Sequence, residues 1–444
     1  MRPNFHLQTV CRAAGFAALW LAAAAANAQP LPTPEQLVQR LDALAQELER
    51  VKAQLQQLRE SRDRATTVPP QADAAAAPAA AAAMPAAVAP AAPSEPSTVI
   101  SSYGEINVNR PKNGSNTRAD LARFVIALQH RFDEKTKMVS ELEIEHAVSS
   151  ADDRGEAEVE QLYLEHRLTD TYGARAGLTL VPIGLLNTNH EPTAYYGVER
   201  NFVETAIIPT TWREGGFQIF GEHDNGVSWI AGVGTGFDLS KWDATSSEGR
   251  ESPLGSIHQE LQLAKAHDVS VYGNVEWRGV PGLRLGGGGF TGKVGQATPG
   301  FAAPDARVTL WDVHAKWMPG PWDLSALYTK GAITGAGDLN LTFAGQPFPV
   351  PRSFDGWYAQ AAYRWQVKGD VVLAPFARYE RFNTGRSFDG LPEGLNPGNV
   401  GTEGVATLGA SFYLNPNVVF KADVQRFRLN KDNDRFNLGV GYSF

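Results

Sequence analysis

The feature that most constrains the fold is a strict two-residue alternation in the last nine residues. The apolar side chains Phe436, Leu438, Val440, Tyr442 and Phe444 alternate with small or polar ones. Such a pattern predicts a β-strand with one apolar and one polar face. An edge strand of a soluble sandwich would also alternate, but a strand between lipid and a polar lumen fits the terminal aromatic residue better. We therefore predict that this segment closes an outer-membrane barrel.

The amino-terminal segment has the pattern of an export signal. An apolar run at 13–26 is followed by a small-x-small cleavage site at 26–28. The run is too short for a stable membrane span, which needs about 20 apolar residues. We predict a signal peptide over residues 1–28. Cys11, the only cysteine, leaves with it, so the mature chain has no thiol or disulfide chemistry.

A heptad pattern follows the signal. Its apolar residues are spaced alternately by four and three positions, as in the seam of a coiled coil. The seam residues are Leu37, Leu41, Leu44, Leu48, Val51, Leu55 and Leu58. A lone amphipathic helix would need a surface to pack against, whereas residues 65–97 are almost all Ala and Pro. We predict a self-associating coiled coil over 29–64 and an extended linker over 65–97, with the number of helices left open.

The rest of the chain is a series of alternating segments joined by connections that are short and long in turn. Seven short and eight long connections give sixteen strands, the even number and asymmetry typical of outer-membrane barrels. The short connections are 133–136, 169–172, 222–226, 279–281, 319–320, 368–370 and 415–417, and the long ones are 109–118, 148–156, 182–211, 237–267, 293–305, 331–353, 382–402 and 430–435.

Tryptophans support this arrangement independently of loop length. Trp277, Trp317, Trp322 and Trp365 all lie beside short turns, as in an interfacial aromatic girdle. The predicted fold class is all-β: a sixteen-stranded antiparallel transmembrane β-barrel over 98–444. It is preceded by a periplasmic α-helical coiled coil.

Three stretches carry a family resemblance: VPIGLLN at 181–187, EPTAYYGVER at 191–200 and IPTTWREGG at 208–216. Together with the order of coiled coil, linker and barrel, they resemble the phosphate-selective porin O and P family. The resemblance implies a trimeric sixteen-stranded channel that passes anions. The 182–211 connection contains no lysine, so the family's phosphate-binding residues are not assigned here.

Side chains opposite the apolar face of each strand are expected to line the lumen. This set is mixed in sign, with equal numbers of cations and carboxylates. The cations are Arg123, Arg167, Arg175, Arg278, Arg284, Lys316, Arg364, Arg378 and Lys421, and the carboxylates are Glu141, Glu143, Glu145, Glu165, Glu276, Asp312, Asp323, Glu380 and Asp423.

The 182–211 connection is apolar for an exposed loop, so we predict that it folds into the barrel and narrows the channel. The alternative is a cap or a contact with a neighbouring subunit. The predicted pore and constriction residues are His190, Glu191, Glu199, Arg200, Glu204 and Arg213, flanked by Arg123 and Arg175 of the wall.

Catalytic, cofactor and metal sites are not predicted. His190 and Glu191 begin like a zinc-binding helix motif, but a second histidine is missing and Pro192 would break the helix. No serine is paired with a suitably placed histidine and acid. The formal net charge of −8 and the lack of a basic stripe argue against a nucleic-acid partner.

These features favour an outer-membrane porin, not an enzyme, that gives passive diffusion to small solutes, anions such as phosphate or organic anions among them. Its expected partners are the lipid bilayer, two further copies in a homotrimer, and peptidoglycan or another periplasmic contact through the coiled coil. The alternative is an envelope anchor in which the coiled coil is the functional part. We expect weak to moderate anion preference, reduced by Arg123→Ala or Arg175→Ala, and no tight phosphate site.

The coiled coil gives the first testable prediction. Replacing Leu44 and Leu48 by Asp places two charges in the apolar seam, which should abolish self-association of a 31–62 peptide. Analytical ultracentrifugation measures this directly. In the whole protein, we expect contacts between barrels to preserve the oligomer. A wild-type peptide that stays monomeric at high concentration would contradict the coiled-coil assignment.

Overall fold

The computed structural model describes residue 50 and residues 97–114, 116–150 and 155–444. The predicted signal peptide, the coiled coil apart from residue 50, and the linker up to residue 96 lie outside the described residues. No helix within the described ranges is long and apolar enough to cross a membrane.

The described chain forms one sheet in which neighbouring strands are antiparallel and consecutive in sequence. Its strands are β1 (Ser97–Pro111), β2 (Arg118–Arg131), β3 (Thr136–Glu145), β4 (Glu156–Arg167), β5 (Tyr172–Leu180), β6 (Arg213–Glu222), β7 (Val227–Gly234), β8 (Ser270–Trp277), β9 (Leu283–Lys293), β10 (Arg307–Trp317), β11 (Trp322–Thr334), β12 (Ser353–Tyr363), β13 (Trp365–Lys368), β14 (Val371–Ser387), β15 (Glu403–Asn415), β16 (Val418–Phe427) and β17 (Arg435–Ser443).

Strands β12 and β13 are two parts of one barrel strand. Only Arg364 separates them, and both pair with β14. The sheet therefore has sixteen barrel strands within the described ranges, and the predicted sixteen-stranded antiparallel barrel is confirmed. Its short and long connections alternate as the sequence indicated.

The barrel is closed by pairing of its first and last strands. The register runs from Tyr103 opposite Ser443 to Pro111 opposite Arg435. Beyond this ladder, Phe444 N–H donates to the Ser102 carbonyl at 2.9 Å, and Ser102 N–H donates to the Phe444 carbonyl at 3.0 Å. The backbone of the last residue is thus part of the closing seam.

The short turns are built from residues that suit tight chain reversal. In the β2–β3 turn, the Asp133 carboxylate accepts hydrogen bonds from the backbone N–H groups of Lys135 and Thr136 at 2.8 and 2.7 Å. These two bonds lower the pKa of Asp133. Gly282 and Gly320 have φ of 76° and 63°, a left-handed conformation that other residues adopt at a cost.

Opposite faces of each strand have opposite surroundings. On β10, Trp311 and Val313 are 40% and 53% exposed, whereas Asp312 and His314 are 2% and 5% exposed. Exposed apolar side chains outside and enclosed polar ones inside are what a barrel in lipid requires. Much of the predicted lumen-facing set is buried, namely Arg123, Arg378, Lys421, Glu143, Glu165, Glu276, Asp312, Asp323, Glu380 and Asp423.

The long connections carry short helices and an apolar core. The helices are α1 (Glu248–Glu251), α2 (Gly337–Thr342), three 3₁₀ turns (Leu239–Lys241, Gly255–Ile257 and Lys431–Asn433) and a π turn (Val203–Ile207). Phe237, Leu254 and Val350 from these connections are fully buried against Phe290 of β9 and Leu310 of β10. Part of the barrel interior is therefore filled by its own connections.

Barrel closure gives a second prediction. Deleting Phe444 removes two backbone hydrogen bonds and an aromatic ring from the seam, and should lower the amount of folded barrel in the outer membrane. The readout is heat-modifiable migration on gels. Phe444→Tyr keeps the backbone bonds and the ring, and should assemble at wild-type levels. Normal assembly of the deletion variant would contradict a role for this residue in closure.

Candidate functional site

The two ends of the connection between β5 and β6, residues 181–212, are hydrogen-bonded to each other. Val181 N–H donates to the Trp212 carbonyl at 2.9 Å. The Asn187 amide donates to the carbonyls of both residues, at 2.7 and 2.8 Å, and accepts from Trp212 N–H at 2.7 Å. One buried side chain thus fixes where the segment leaves and rejoins the wall. This segment is called the β5–β6 connection below.

The apolar residues that made this connection unsuitable as an exposed loop are buried in the barrel interior. Ile183, Leu185, Val203 and Ile207 belong to the core shared with the β8–β12 side of the wall. The Trp212 ring lies 4.7 Å from the Phe290 ring, centre to centre. Hydrophobic burial therefore draws one side of the connection against this part of the wall.

Polar contacts reach other parts of the wall. Hydrogen bonds run from Tyr195 Oη to Glu105 of β1 (2.7 Å), from Tyr196 Oη to Asp323 of β11 (3.0 Å), from Val198 N–H to Asp423 of β16 (2.7 Å) and from Phe202 N–H to Glu380 of β14 (2.5 Å). All four carboxylates are buried and face inward. The connection thus lies within the barrel and contacts strands on several sides of it.

Glu204 is the centre of the connection's own hydrogen bonding. One carboxylate oxygen accepts from the N–H groups of Leu185 and Leu186 at 2.6 and 2.8 Å. The other accepts from the Asn201 amide and the Tyr358 hydroxyl, both at 2.9 Å. The sequence placed Glu204 among residues that meet solutes, but the structure buries it as a fold-determining acceptor.

Arg123 is similarly enclosed. Its guanidinium donates to Glu105 at 2.8 Å and to the His190 carbonyl at 2.5 Å, which ties the connection to β1 and β2. Lys421 lies 3.6 Å above the centre of the Tyr195 ring. Burial, and secondarily the charge of Glu105, raises the pKa of Tyr195, so its hydroxyl stays a neutral donor.

The other two predicted arginines differ in exposure. Arg175 pairs with Glu165 at 2.7 Å but stays about a quarter exposed, at 26% of its side chain. Arg213 is buried, donates to Glu158 and pairs with Glu260 at 2.9 Å. Arg213 therefore links β4, β6 and the β7–β8 connection near the end of β5.

The remaining predicted residues also include both buried and partly exposed side chains. Glu191, Glu199 and Arg200 are partly exposed. Glu199 accepts from the Asn109 amide at 2.7 Å, and Arg200 donates to the Thr210 hydroxyl. His190 is buried against β1 and β4. Of the predicted set, Arg175, Glu191, Glu199 and Arg200 therefore keep access to solvent.

Cavities lie on both sides of the β5–β6 connection. On the side of the long connections, a cavity of about 900 Å³ is lined by Phe202, Thr205 and Ala206 among others. On the side of the short turns, two cavities of about 510 and 420 Å³ are both lined by Thr188. The β5–β6 connection thus borders the space on both sides.

A small cavity of about 40 Å³ lies between the connection and the wall and shares lining residues with the 510 Å³ cavity. Arg284, Lys316 and Arg378 line it, and none of its described lining residues is a carboxylate. These three belonged to the predicted lumen set but not to the predicted constriction. The sequence predicts that each of the three lies on the inward face of its strand, β9, β10 or β14. That the three side chains lie close together depends on the closed barrel.

Comparison with known proteins gives the fold but no assigned family. No family model matches the chain. An uncharacterized protein of Aquifex aeolicus (strain VF5) is 28% identical over 357 residues, which cover 78% of this chain and 79% of that protein.

Solved structures of porins are also similar. Salmonella typhi OmpF in complex with daunomycin has a TM-score of 0.55 at 13% identity, over 78% of this chain and 97% of that one. The anion-selective porin of Comamonas acidovorans has a TM-score of 0.48 at 12% identity, over 79% and 100% of the two chains. The likeness to OmpF, a channel rather than an enzyme, shows that this chain has the sixteen-stranded outer-membrane porin fold.

Glu204 gives a third prediction. Glu204→Ala leaves two backbone N–H groups and two side-chain donors without an acceptor in a buried site, which should destabilise the protein by roughly 3 kcal/mol. Urea unfolding followed by tryptophan fluorescence measures the loss. Protease cleavage between residues 181 and 212 should also increase.

The matched control is Glu191→Ala, which removes the same group from a partly exposed site of the same connection. We expect a change within about 0.5 kcal/mol, as for most surface substitutions. Equal stability of the two variants would show that the Glu204 hydrogen bonds do not hold the connection.

Proposed function

We propose that this protein is an outer-membrane channel through which small solutes diffuse passively, with a preference for anions, and that the β5–β6 connection narrows it. The observation that carries the proposal is the small cavity beside this connection. Three cations line it, its described lining residues include no carboxylate, and larger cavities lie on both sides of the connection. Positive groups at a narrow point replace part of an anion's hydration and repel cations.

The preference is weak to moderate because each cation already has a carboxylate partner. Lys316 lies 3.3 Å from Asp323, Arg378 lies 3.1 Å from Glu380, and Arg284 pairs with Glu276. A paired cation attracts a passing anion less than a free one does. For the same reason we propose no tight phosphate site, although the family that the sequence resembles is phosphate-selective.

The acidic residues of β3 have a smaller influence on selectivity. Glu141 lines the wider 420 Å³ cavity, whose other lining residues include carboxylates as well as cations. In a wide, hydrated space, charges are screened beyond roughly 8–10 Å at physiological salt. Selectivity therefore follows the groups at the narrowest point, and the net charge of −8 is a poor guide to it.

Three further parts of the proposal concern assembly. The barrel lies in the bacterial outer membrane, with its short turns and the amino-terminal segment on the periplasmic side. The protein is a homotrimer: the predicted coiled coil supports self-association, and the family resemblance supports three copies. Periplasmic contacts, with peptidoglycan among the candidates, are made through residues 29–64.

Selectivity gives the fourth prediction. Lys316→Ala removes one charge from the narrow cavity. A unit charge about 8 Å away in water contributes ~0.5 kcal/mol, which favours chloride and disfavours potassium. Its removal should therefore change each permeability about twofold in opposite directions and lower the chloride-to-potassium permeability ratio by roughly four- to fivefold. Reversal potentials in a KCl gradient across planar bilayers measure this ratio. Arg175→Ala should act in the same direction but more weakly, because Arg175 lines the adjoining, wider 420 Å³ cavity.

The control is Lys293→Ala, which removes the same charge from an exposed ion pair with Asp305 at the end of β9. It should leave the ratio unchanged. Clear cation preference of the wild-type channel would refute the anion proposal. Block by micromolar phosphate would refute the absence of a tight phosphate site.

A further inference from the structure

Two carboxylates and an imidazole converge where the β5–β6 connection meets β3 and β4. They are Glu141 of β3, Glu160 of β4 and His190 of the connection. One donor atom from each lies within 4.8 Å of the others. Glu160 is fully buried and His190 is 4% exposed. The anion pathway proposed above uses neither of these two residues.

The backbone fixes how His190 is oriented. Its Nδ1 lies 3.0 Å from the Asn187 carbonyl oxygen, which can only accept, so Nδ1 carries a hydrogen. The other ring nitrogen, Nε2, then faces Glu160. An imidazole that donates from one nitrogen to a carbonyl and presents the other is typical of metal-binding histidines.

The Glu160 carboxylate has too few hydrogen-bond donors around it. The Tyr103 hydroxyl lies 2.8 Å from Glu160 Oε2 and 2.8 Å from His190 Nε2, but it has one hydrogen to give. The other oxygen, Glu160 Oε1, has no hydrogen-bond partner among the described residues and lies 3.7 Å from His190 Nε2. A buried carboxylate oxygen without a donor is costly, and a bound cation would remove that cost.

Further acidic side chains lie beside the three residues. Glu143 is buried on the same face of β3 as Glu141, and Glu191 of the connection lies near Glu141. The neighbouring cation, Arg123, donates to Glu105 and to the His190 carbonyl.

We propose that Glu141, Glu160 and His190 bind a divalent transition-metal ion of the zinc class. Carboxylate and imidazole together form a ligand set that such ions prefer. Glu141 also lines the 420 Å³ cavity, which gives an ion a route from the side of the short turns. Gln161 holds one Glu141 oxygen at 2.7 Å and leaves the other for the ion. The bound metal joins the β5–β6 connection to β3 and β4, and the site is independent of anion selectivity.

The test uses the full-length, untagged protein in detergent after treatment with a chelator. Isothermal titration with ZnCl₂ at pH 7 should show one site per chain. Glu160→Gln and Glu141→Gln should each weaken binding by about 100-fold or more, since loss of an outer partner alone costs 10- to 100-fold. Co²⁺ should give the visible absorption of a protein-bound ion in the wild type and lose it in both variants.

Glu222→Gln is the matched control, because it removes a carboxylate that is 60% exposed at the end of β6. It should bind Zn²⁺ like the wild type. Heat-modifiable migration confirms folding of each variant. If Glu160→Gln does not fold, Glu141→Gln decides, because Glu141 is only partly buried.

Two results would overturn the proposal. One is a wild-type protein that binds no Zn²⁺ at millimolar concentration. The other is Zn²⁺ affinity unchanged in Glu141→Gln and in any folded Glu160→Gln. Neither result bears on the selectivity of the channel, which the reversal potentials test separately.

Discussion

Pairing of β1 with β17 is the interaction on which the rest of the structure depends. Lipid offers no partner for a backbone N–H or carbonyl group, so a sheet can cross a membrane only if it has no open edge. The ladder from Tyr103–Ser443 to Pro111–Arg435 removes that edge. Closure with sixteen strands also sets the width of the interior, which is too wide for wall side chains alone to fill. The long connections therefore share the filling of the lumen.

The β5–β6 connection fills it by two different interactions. Towards β8–β12 it packs apolar residues such as Ile207 and Trp212 into a core. Towards β1, β14 and β16 it meets inward-facing carboxylates, which accept hydrogen bonds from its N–H and hydroxyl groups. Buried carboxylates are costly unless donors surround them, and the folded connection supplies those donors. The wall carboxylates therefore hold the connection in position, and the connection in turn supplies the donors that allow these carboxylates to be buried.

Charges of both signs occur all around the lumen, but two local groups differ in their composition. Carboxylates are concentrated on β3 and β4, where Glu141 and Glu160 approach His190. Cations gather on β9, β10 and β14 around the small cavity. The two groups contact different residues of the connection, so each can act on a different ion. This difference is the basis for proposing anion passage at one group and metal binding at the other.

The sequence by itself determined the number of strands, the alternation of short and long connections and which face of each strand is apolar. These depend on local periodicity and turn chemistry, which a few neighbouring residues encode. The predicted coiled coil at 29–64 rests on the same kind of evidence and stays a prediction, since it lies outside the described residues, apart from residue 50.

Only the tertiary structure decided what the charged residues do. Glu204 and His190 looked like solute contacts but are buried, whereas Arg284, Lys316 and Arg378 meet at the small cavity. The reason is that a side chain's partner in a closed barrel lies far away in sequence. Sequence periodicity places a residue on a face of a strand, but its neighbours across the lumen depend on barrel closure and on the path of the β5–β6 connection.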